Sequence, residues 1–596
     1  MSTRPRLLVV GSPSLDLLHF GGRSVRSAGG AGLYTALAAQ RAGAAVTVVA
    51  PRPDPMPEEL EPADRLLDWR GPPVPPSALP HFEIEYFPDG RTVYRQAVRG
   101  SEGDIRYGDI PDAGPGAFAY VVPLLDPELQ LGFARRLSAA GVRVGCGTYA
   151  PGIRAHPEVV TRVVEASDYF FCNAEEAGLL FGSLDDVAVA PGHAVFVTRG
   201  PRGARAVLGD HPIDVPAPEV EEVDPTGAGD TFCGTALARL AAGDHPAMAA
   251  RVAAAHAART VTGIGPTSLL SDGPPAAVPL DPRVRVDGDR VRRVAGLIAT
   301  APEATAFDFT GPDFPEPGDP AALDFFFAGT VQQFGFWRER AGRYGEPMIA
   351  SLGGRARKGS DYLWAAYLRW AREAPDELTP SGQAALDDAD FDHRLRDDGG
   401  RNPLPAGTLH PACARAYGRD MLALGLTPAS LLAEANAVEQ PLAHFLARLD
   451  AMGGYREDPW RKKSALLAVI LSQRPERFLR LGEGEDVPPI VDYHCQRSCL
   501  RLGVVAVPDE TLASKLAKRE VVSEEEEEAV RAACYEAVAE IRDLSGRSMG
   551  AVDWFFFQNR TRCPEMTEPD CAACPADPAC AHRTRLFQPV FRTTAY

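Results

Sequence analysis

Short β-branched runs alternate with Ala/Leu-rich stretches through the first 265 or so residues, and beyond that point the alternation stops. The runs 6–11, 45–50, 120–122, 142–145, 169–172 and 195–198 are apolar enough to be strands buried on both faces. Helical spacing fills 31–43, 127–140, 156–167 and 230–243 between them. A strand–helix–strand repeat has few solutions, because each helix carries the chain back and leaves the next strand parallel to the last. The expected fold for this half is therefore α/β, a largely parallel sheet between helices. Residues 52–80, rich in proline and acids, break the pattern and read as a loop excursion, and 83–99 reads as a small hairpin.

The stretch 269–288 is rich in turn residues and marks a boundary. It separates a domain at 1–268 from one at 289–596, an arrangement that suits 596 residues. The second domain reads as mainly helical, with helical spacing near 361–373, 428–450, 460–472, 491–502 and 524–544. Ser523 followed three residues later by Glu526 has the form of a capping box for the last of these. The glutamates 524–528 suit the positive end of a helix dipole and need no further role.

Charge and hydropathy narrow the partners. A formal net charge of −18 opposes sequence-blind binding to DNA, which needs a basic surface to displace counterions. No run approaches the length of a membrane span, and the N-terminus leads directly into an apolar strand, so no membrane partner is expected and the expected location is cytoplasmic. Four of the eleven cysteines crowd into 563–580: Cys563, Cys571, Cys574 and Cys580. In a reducing compartment such a cluster points to metal and not to disulfides. Four thiolates suit either an iron–sulfur cluster or tetrahedral zinc.

The most specific stretch is Asp224-Pro225-Thr226-Gly227-Ala228-Gly229-Asp230-Thr231-Phe232-Cys233-Gly234, which opens an Ala/Leu-rich helix. Glycines before a helix let backbone N–H groups of Gly227, Ala228 and Gly229 converge at the positive end of the dipole, forming an anion hole for a transferring phosphoryl group. Asp230 in the first turn is placed to take the proton of an attacking hydroxyl. This stretch resembles the ribokinase-like, PfkB-type family of sugar and nucleoside kinases, and the resemblance extends over roughly 1–268.

The resemblance implies ATP and Mg²⁺ as cosubstrate and cofactor, with a small-molecule acceptor. Asp16, at the end of the first strand segment, is implied to hold acceptor hydroxyls, and Gly29-Gly30 before a helix resembles the family's first glycine motif. Asn173 and Glu176 resemble its Asn-x-x-Glu motif, which orders Mg²⁺ and its waters. Thr198, Gly200 and Gly203 resemble the strand–turn segment beside the nucleotide. Tyr34 stands where the family usually has Asn, and Pro51-Arg52-Pro53-Asp54 replaces its Gly-Asp-x-x-Gly turn. Both changes fall on the acceptor side and imply a larger acceptor; Tyr34 either stacks on a nucleobase or simply packs.

In the helical half, Val491-Asp492-Tyr493-His494 begins a helical stretch. A carboxylate at that position is usually a cap. It also resembles the Val-Asp-x-His segment of endonuclease III-type DNA glycosylases, where a carboxylate faces the sugar. Breaking an N-glycosidic bond builds positive charge on the sugar, which a carboxylate stabilises. The spacing Cys563-x7-Cys571-x2-Cys574-x5-Cys580 is similar to the [4Fe–4S] loop of the same enzymes, which favours iron–sulfur over Zn²⁺. The glycine hairpin with which those enzymes grip DNA is absent, and Leu466–Pro475 stands in its place.

A fuller resemblance for 289–596 is to the queuosine salvage family, the queuosine 5′-phosphate N-glycosylases of helical glycosylase-like fold. Phe334, Phe336 and Trp337 resemble its aromatic motif and are implied to hold the base. Asp492-Tyr493 matches its Asp-Tyr pair, and Arg355, Arg497 and Arg592 are candidate phosphate partners. Together the halves imply a bifunctional salvage enzyme. It would phosphorylate a queuosine-like, 7-deazapurine nucleoside at the 5′-hydroxyl and then hydrolyse its N-glycosidic bond, using Asp230 and Asp492 in turn. The competing reading is an iron–sulfur DNA-repair glycosylase with a kinase-like regulatory domain.

Overall fold

The structure, a computed structural model, describes residues 4–20, 22–87, 92–114, 116–124, 126–271 and 278–596. It divides into two compact units, Met1–Val278 and Pro279–Tyr596. Residues 272–277 of the turn-rich segment and Gly90 of the hairpin lie outside the described residues.

The first unit is built on a nine-stranded sheet. Its order is His211–Val215, Ala204–Leu208, Ala194–Thr198, Tyr169–Asn173, Arg143–Gly147, Phe118–Val121, Arg6–Val10, Ala45–Val49 and Asp68–Arg70. From Ala194–Thr198 onward every neighbouring pair is parallel. The inner strands are largely apolar and share one core with helices such as Ala31–Arg41, Pro127–Ala139, Ala228–Ala241 and Pro246–Thr260. This is the α/β arrangement that the alternating pattern predicts.

Three features depart from the sequence expectation. The excursion at 52–80 supplies an edge strand, Asp68–Arg70, whose three residues are too short to register as a periodic run. Two antiparallel strands, Ala204–Leu208 and His211–Val215, extend the other edge through a tight Gly209-Asp210 turn. Ser14–Phe20 and Arg23–Gly29 join the expected hairpin, His81–Tyr86 and Thr92–Val98, in a separate four-stranded sheet.

The second unit is mainly helical. Its core gathers helices Gly288–Thr300, Ala322–Val331, Gly359–Glu373, Leu409–Ala423, Lys462–Gln473, Tyr493–Leu502, Glu524–Ser545 and Met549–Gln558. The helical pattern at 428–450 is two helices, Pro428–Asn436 and Pro441–Leu449, because Pro441 lacks the N–H that a continuous helix needs. The capping box forms as the spacing predicts: Glu526 N–H donates to Ser523 Oγ at 3.2 Å, and Ser523 N–H donates to Glu526 Oε2 at 2.9 Å. Among the described residues no helix is long and apolar enough to cross a membrane.

Candidate functional site

In the first unit the glycine loop is shaped by one buried carboxylate. Asp224 accepts from the N–H of Thr226 at 2.9 Å and from the N–H of Gly265 at 2.8 Å, pinning the loop before the helix Ala228–Ala241. Gly227 caps that helix in the left-handed region at φ 78°, and a helix start leaves its first N–H groups without intrahelical partners. The Ala228 N–H reaches back to Pro225 O at 3.3 Å. A Cβ at Gly227 would collide with the Tyr34 ring. Gly227→Ala is therefore expected to destabilise the first unit by ~1–3 kcal/mol, from the positive φ alone, and to lower kinase turnover by displacing the helix start. A thermal melt and a phosphorylation assay of the same preparation check both.

Asp230 sits in the first turn of this helix, and burial alone pushes its carboxyl up to about 6. Its backbone carbonyl accepts from Thr35 Oγ1 at 3.3 Å, which ties it to the helix Ala31–Arg41. That helix starts at Gly30, whose φ of 92° lets the helix N-terminus lie against the backbone of Ser12–Ser14. Asp16 is buried in the four-stranded sheet beside Gly29, where any Cβ would strike its carboxylate. Burial pushes Asp16 up to about 6, partly offset by the Ser14 hydroxyl and by the Phe82 N–H at 3.2 Å.

Tyr34 brings these groups together. Its ring is only 2 % exposed and packs on Gly227, and its hydroxyl lies within the fields of Asp224, Asp16 and Asp230. Tyr86 joins the same neighbourhood by a hydrogen bond to the Thr226 hydroxyl.

Asn173 and Thr198 are cross-strand partners at the ends of adjacent parallel strands, where open α/β sheets place ligands. Asn173 and Glu176 form a reciprocal capping box, each side chain accepting from the other's N–H at 2.9 Å. Burial raises the Glu176 carboxyl, although the Asn173 and Ala150 N–H groups favour its anion. Cys233 feels the charge of both Asp230 and Glu176, so the two carboxylates approach one buried thiol. Gly200 and Gly203 take φ values of 59° and 82° in the turn after Thr198, closed by Arg199 N–H to Gly203 O at 2.8 Å.

The second unit holds a cavity of about 190 Å³. Asp492, Asp553 and Lys462 line it together with Phe307, Phe336, Trp364, Tyr493, Trp554 and Phe557. Phe307 and Trp554 stack at 4.2 Å, giving it a flat aromatic wall. Asp492 caps the helix Tyr493–Leu502, accepting from the Cys495 N–H at 2.9 Å, and it also lines the cavity. Cap and cavity residue are thus one and the same.

The remaining residues singled out from sequence are placed elsewhere. Phe334 stacks on His410 at 4.2 Å and Trp337 on Tyr344 at 5.4 Å; neither lines the cavity. Arg497 is buried behind it, donating to Gln588 Oε1 and His494 Nδ1, both at 2.9 Å. Arg592 is committed to Gly335 O and Trp337 O, and Arg355 lies in an exposed hairpin. The lysine and arginine side chains that line the cavity are instead Lys462 and Arg560. Sequence reading passed over Asp553, Lys462 and Arg560. The signal for Asp553 was present: it is the one charged residue in the helix Met549–Gln558, which otherwise reads as core.

The four clustered cysteines come together in the folded loop. Each of Cys571, Cys574 and Cys580 feels the charge of Cys563, and the three also act on one another. Arg501 Nη1 donates to Cys563 Sγ at 3.1 Å, and the His582 N–H donates to Cys580 Sγ at 3.3 Å. Cys571, Asp577 and His582 place one ligand atom each within 4.8 Å of one another.

Comparison with known proteins adds the following. The pfkB family of carbohydrate kinases matches residues 145–272. A cytidine kinase of Thermococcus kodakarensis is 30% identical over 251 residues, covering 40% of this chain and 89% of that protein. A ribokinase of Bacillus subtilis is 34% identical over 105 residues, 17% of this chain and 36% of that one. The solved aminoimidazole riboside kinase of Salmonella enterica aligns with a TM-score of 0.38 at 20% identity, over 45% of this chain and 96% of its own.

Proposed function

The chain belongs to the pfkB family of carbohydrate kinases, and from that premise we propose a bifunctional nucleoside-salvage enzyme whose first unit phosphorylates a nucleoside and whose second cleaves the product. In the first step Asp230 takes the proton of the 5′-hydroxyl while the N–H groups at the start of its helix face the transferring phosphoryl group. Asp16 holds acceptor hydroxyls. A nucleoside acceptor is supported by the similarity to a cytidine kinase. Glu176 and Asn173 would hold Mg²⁺ through its waters. The fit is reasonable, since Mg²⁺ dehydrates reluctantly and Glu176 is a fixed, buried carboxylate.

In the second step a flat base enters the aromatic cavity and Asp492 stabilises the oxocarbenium ion as the N-glycosidic bond breaks. The observation that carries this step is Asp492 lining a cavity walled by aromatic rings. At about 190 Å³ the cavity is smaller than the ~300–1,000 Å³ of drug-sized pockets, a size that suits a heterocycle and the sugar carbon bonded to it, with the phosphate left outside. A queuosine-like base is the specific substrate proposed. The test is incubation with ATP, Mg²⁺ and a panel of nucleosides, followed by mass spectrometry. Free base should appear only when ATP is present, and equal release without ATP would overturn the sequential scheme.

Cys563, Cys571, Cys574 and Cys580 would hold a [4Fe–4S] cluster, which in this reading stabilises the loop and takes no part in chemistry. Tetrahedral zinc on the same four thiolates is the alternative. Anaerobically purified protein should be brown, and Cys574→Ser should lower iron content and thermal stability. Colourless protein with stoichiometric zinc would refute the assignment.

A further inference from the structure

The cavity contains a second carboxyl group that the proposed chemistry has not yet used. Asp553 lies in the helix Met549–Gln558, among Val552, Trp554, Phe555 and Phe556, and it lines the cavity wall together with Asp492. The charged and titratable groups around it come from five other segments, among them Asp313, which pairs with Arg357 at 2.7 Å. Lys462 opens the helix Lys462–Gln473, Asp492 and His494 start the helix Tyr493–Leu502, and Asp361 pairs with Arg560 at 3.0 Å. Lys462 Nζ donates to Gln333 O at 3.0 Å, so this ammonium is anchored by a backbone carbonyl.

We propose that Asp553 is the acid that protonates the departing base, working opposite Asp492 in the same cavity; this rests on the N-glycosidic reading of the second unit. Two carboxyl groups serve such a reaction only if their environments hold one proton between them. Asp492 is set at a helix N-terminus, its carboxylate accepting from the Cys495 N–H. Asp553 has no such support: burial pushes its carboxyl up to about 8, the charge of Asp492 adds to the shift, and Lys462 only partly opposes it. At neutral pH Asp553 therefore carries the proton.

The step balances without any further reactant. The C1′–N bond breaks with its electron pair going to the base, and the Asp553 proton moves to a ring nitrogen. Water adds its oxygen to C1′, and the proton it sheds returns to Asp553. Nucleotide and water become base and ribose 5-phosphate.

The test uses the full chain and a series of ribonucleoside 5′-monophosphates whose bases run from weakly to strongly acidic. A base that leaves readily as an anion needs no proton. Asp553→Asn should slow release of the least acidic base by about a hundredfold, the low end of general-acid effects because Lys462 remains as a donor. The same variant should approach the wild-type rate on the most acidic base. A uniform loss across the series, or no loss, overturns the proposal. If the variant does not fold, the wild-type series decides alone: a shallow dependence on leaving-group acidity supports an enzymic acid, and a steep one overturns it. Wild-type protein that releases no base from any of these nucleotides would instead refute the N-glycosidic reading itself.

Discussion

Asp230→Asn is expected to cut ATP-dependent phosphorylation of a nucleoside by ~10²–10⁴-fold, the usual cost of losing a general base. A thousandfold loss corresponds to about 4 kcal/mol in the barrier. The argument rests on position and protonation together. Asp230 lies in the first turn of Ala228–Ala241, beside the N–H groups proposed to face the phosphoryl group, and burial lifts its carboxyl to about 6. A base lifted that far is a better proton acceptor than an exposed aspartate and is still ionised at neutral pH. Kinase turnover should therefore fall as pH drops through about 6, approaching tenfold per unit below it, because the protonated carboxyl cannot accept the hydroxyl proton. The Asn variant should lose this acid limb along with its rate. Base release from a ready-made 5′-monophosphate should be unchanged, since Asp230 serves only phosphoryl transfer. Product analysis by mass spectrometry across pH 5–8 reads all three results, and a variant that retains the wild-type rate would remove Asp230 from the mechanism.

The parallel sheet was legible because its strands are buried on both faces and carry continuous apolar runs, such as Arg6–Val10 and Ala194–Thr198. Ser14–Phe20 was not legible as a strand because two of its buried positions, Ser14 and Asp16, are polar while Leu15 and Leu17 are only half-buried, the reverse of the usual strand pattern. Asp230 and Asp492 could be singled out because each stands at a helix start with informative neighbours in sequence. Asp224 was visible in the same motif, but its role in pinning the loop depends on Gly265, forty-one residues away. The cavity was less legible for a comparable reason. Its wall comes from Phe307, Trp364, Tyr493 and Trp554, on separate segments whose aromatic residues look like core one at a time. Phe334 and Trp337 show the converse, within two residues of Phe336 in sequence yet packed elsewhere, Phe334 on His410 and Trp337 on Tyr344, with Gly335 at positive φ between Phe334 and Phe336.

Asp492→Asn should do the reverse of the Asp230 change. With nucleoside and ATP supplied, the 5′-monophosphate should accumulate while release of free base falls by ~10²–10³-fold, the range seen when a preorganised group facing developing charge is removed. Asn is the informative replacement. Asp492 caps Tyr493–Leu502 through the Cys495 N–H, and Asn caps a helix about as well as Asp, whereas Ala would cost ~0.5–2 kcal/mol of stability and confuse lost charge with lost fold. The charge is what the reaction needs. In the proposed step the sugar would become cationic as the glycosidic bond lengthens, and an anion held in place there would stabilise it more than solvent can. Lys462, whose ammonium is weakened to about 8 chiefly by burial, is itself stabilised by the charge of Asp492, so neutralising Asp492 should push its pKa down further. That secondary shift gives a second readout in the pH dependence of any residual base release. If Asp492→Asn releases base as fast as wild type while melting at the same temperature, Asp492 is only a helix cap and the bond is broken elsewhere.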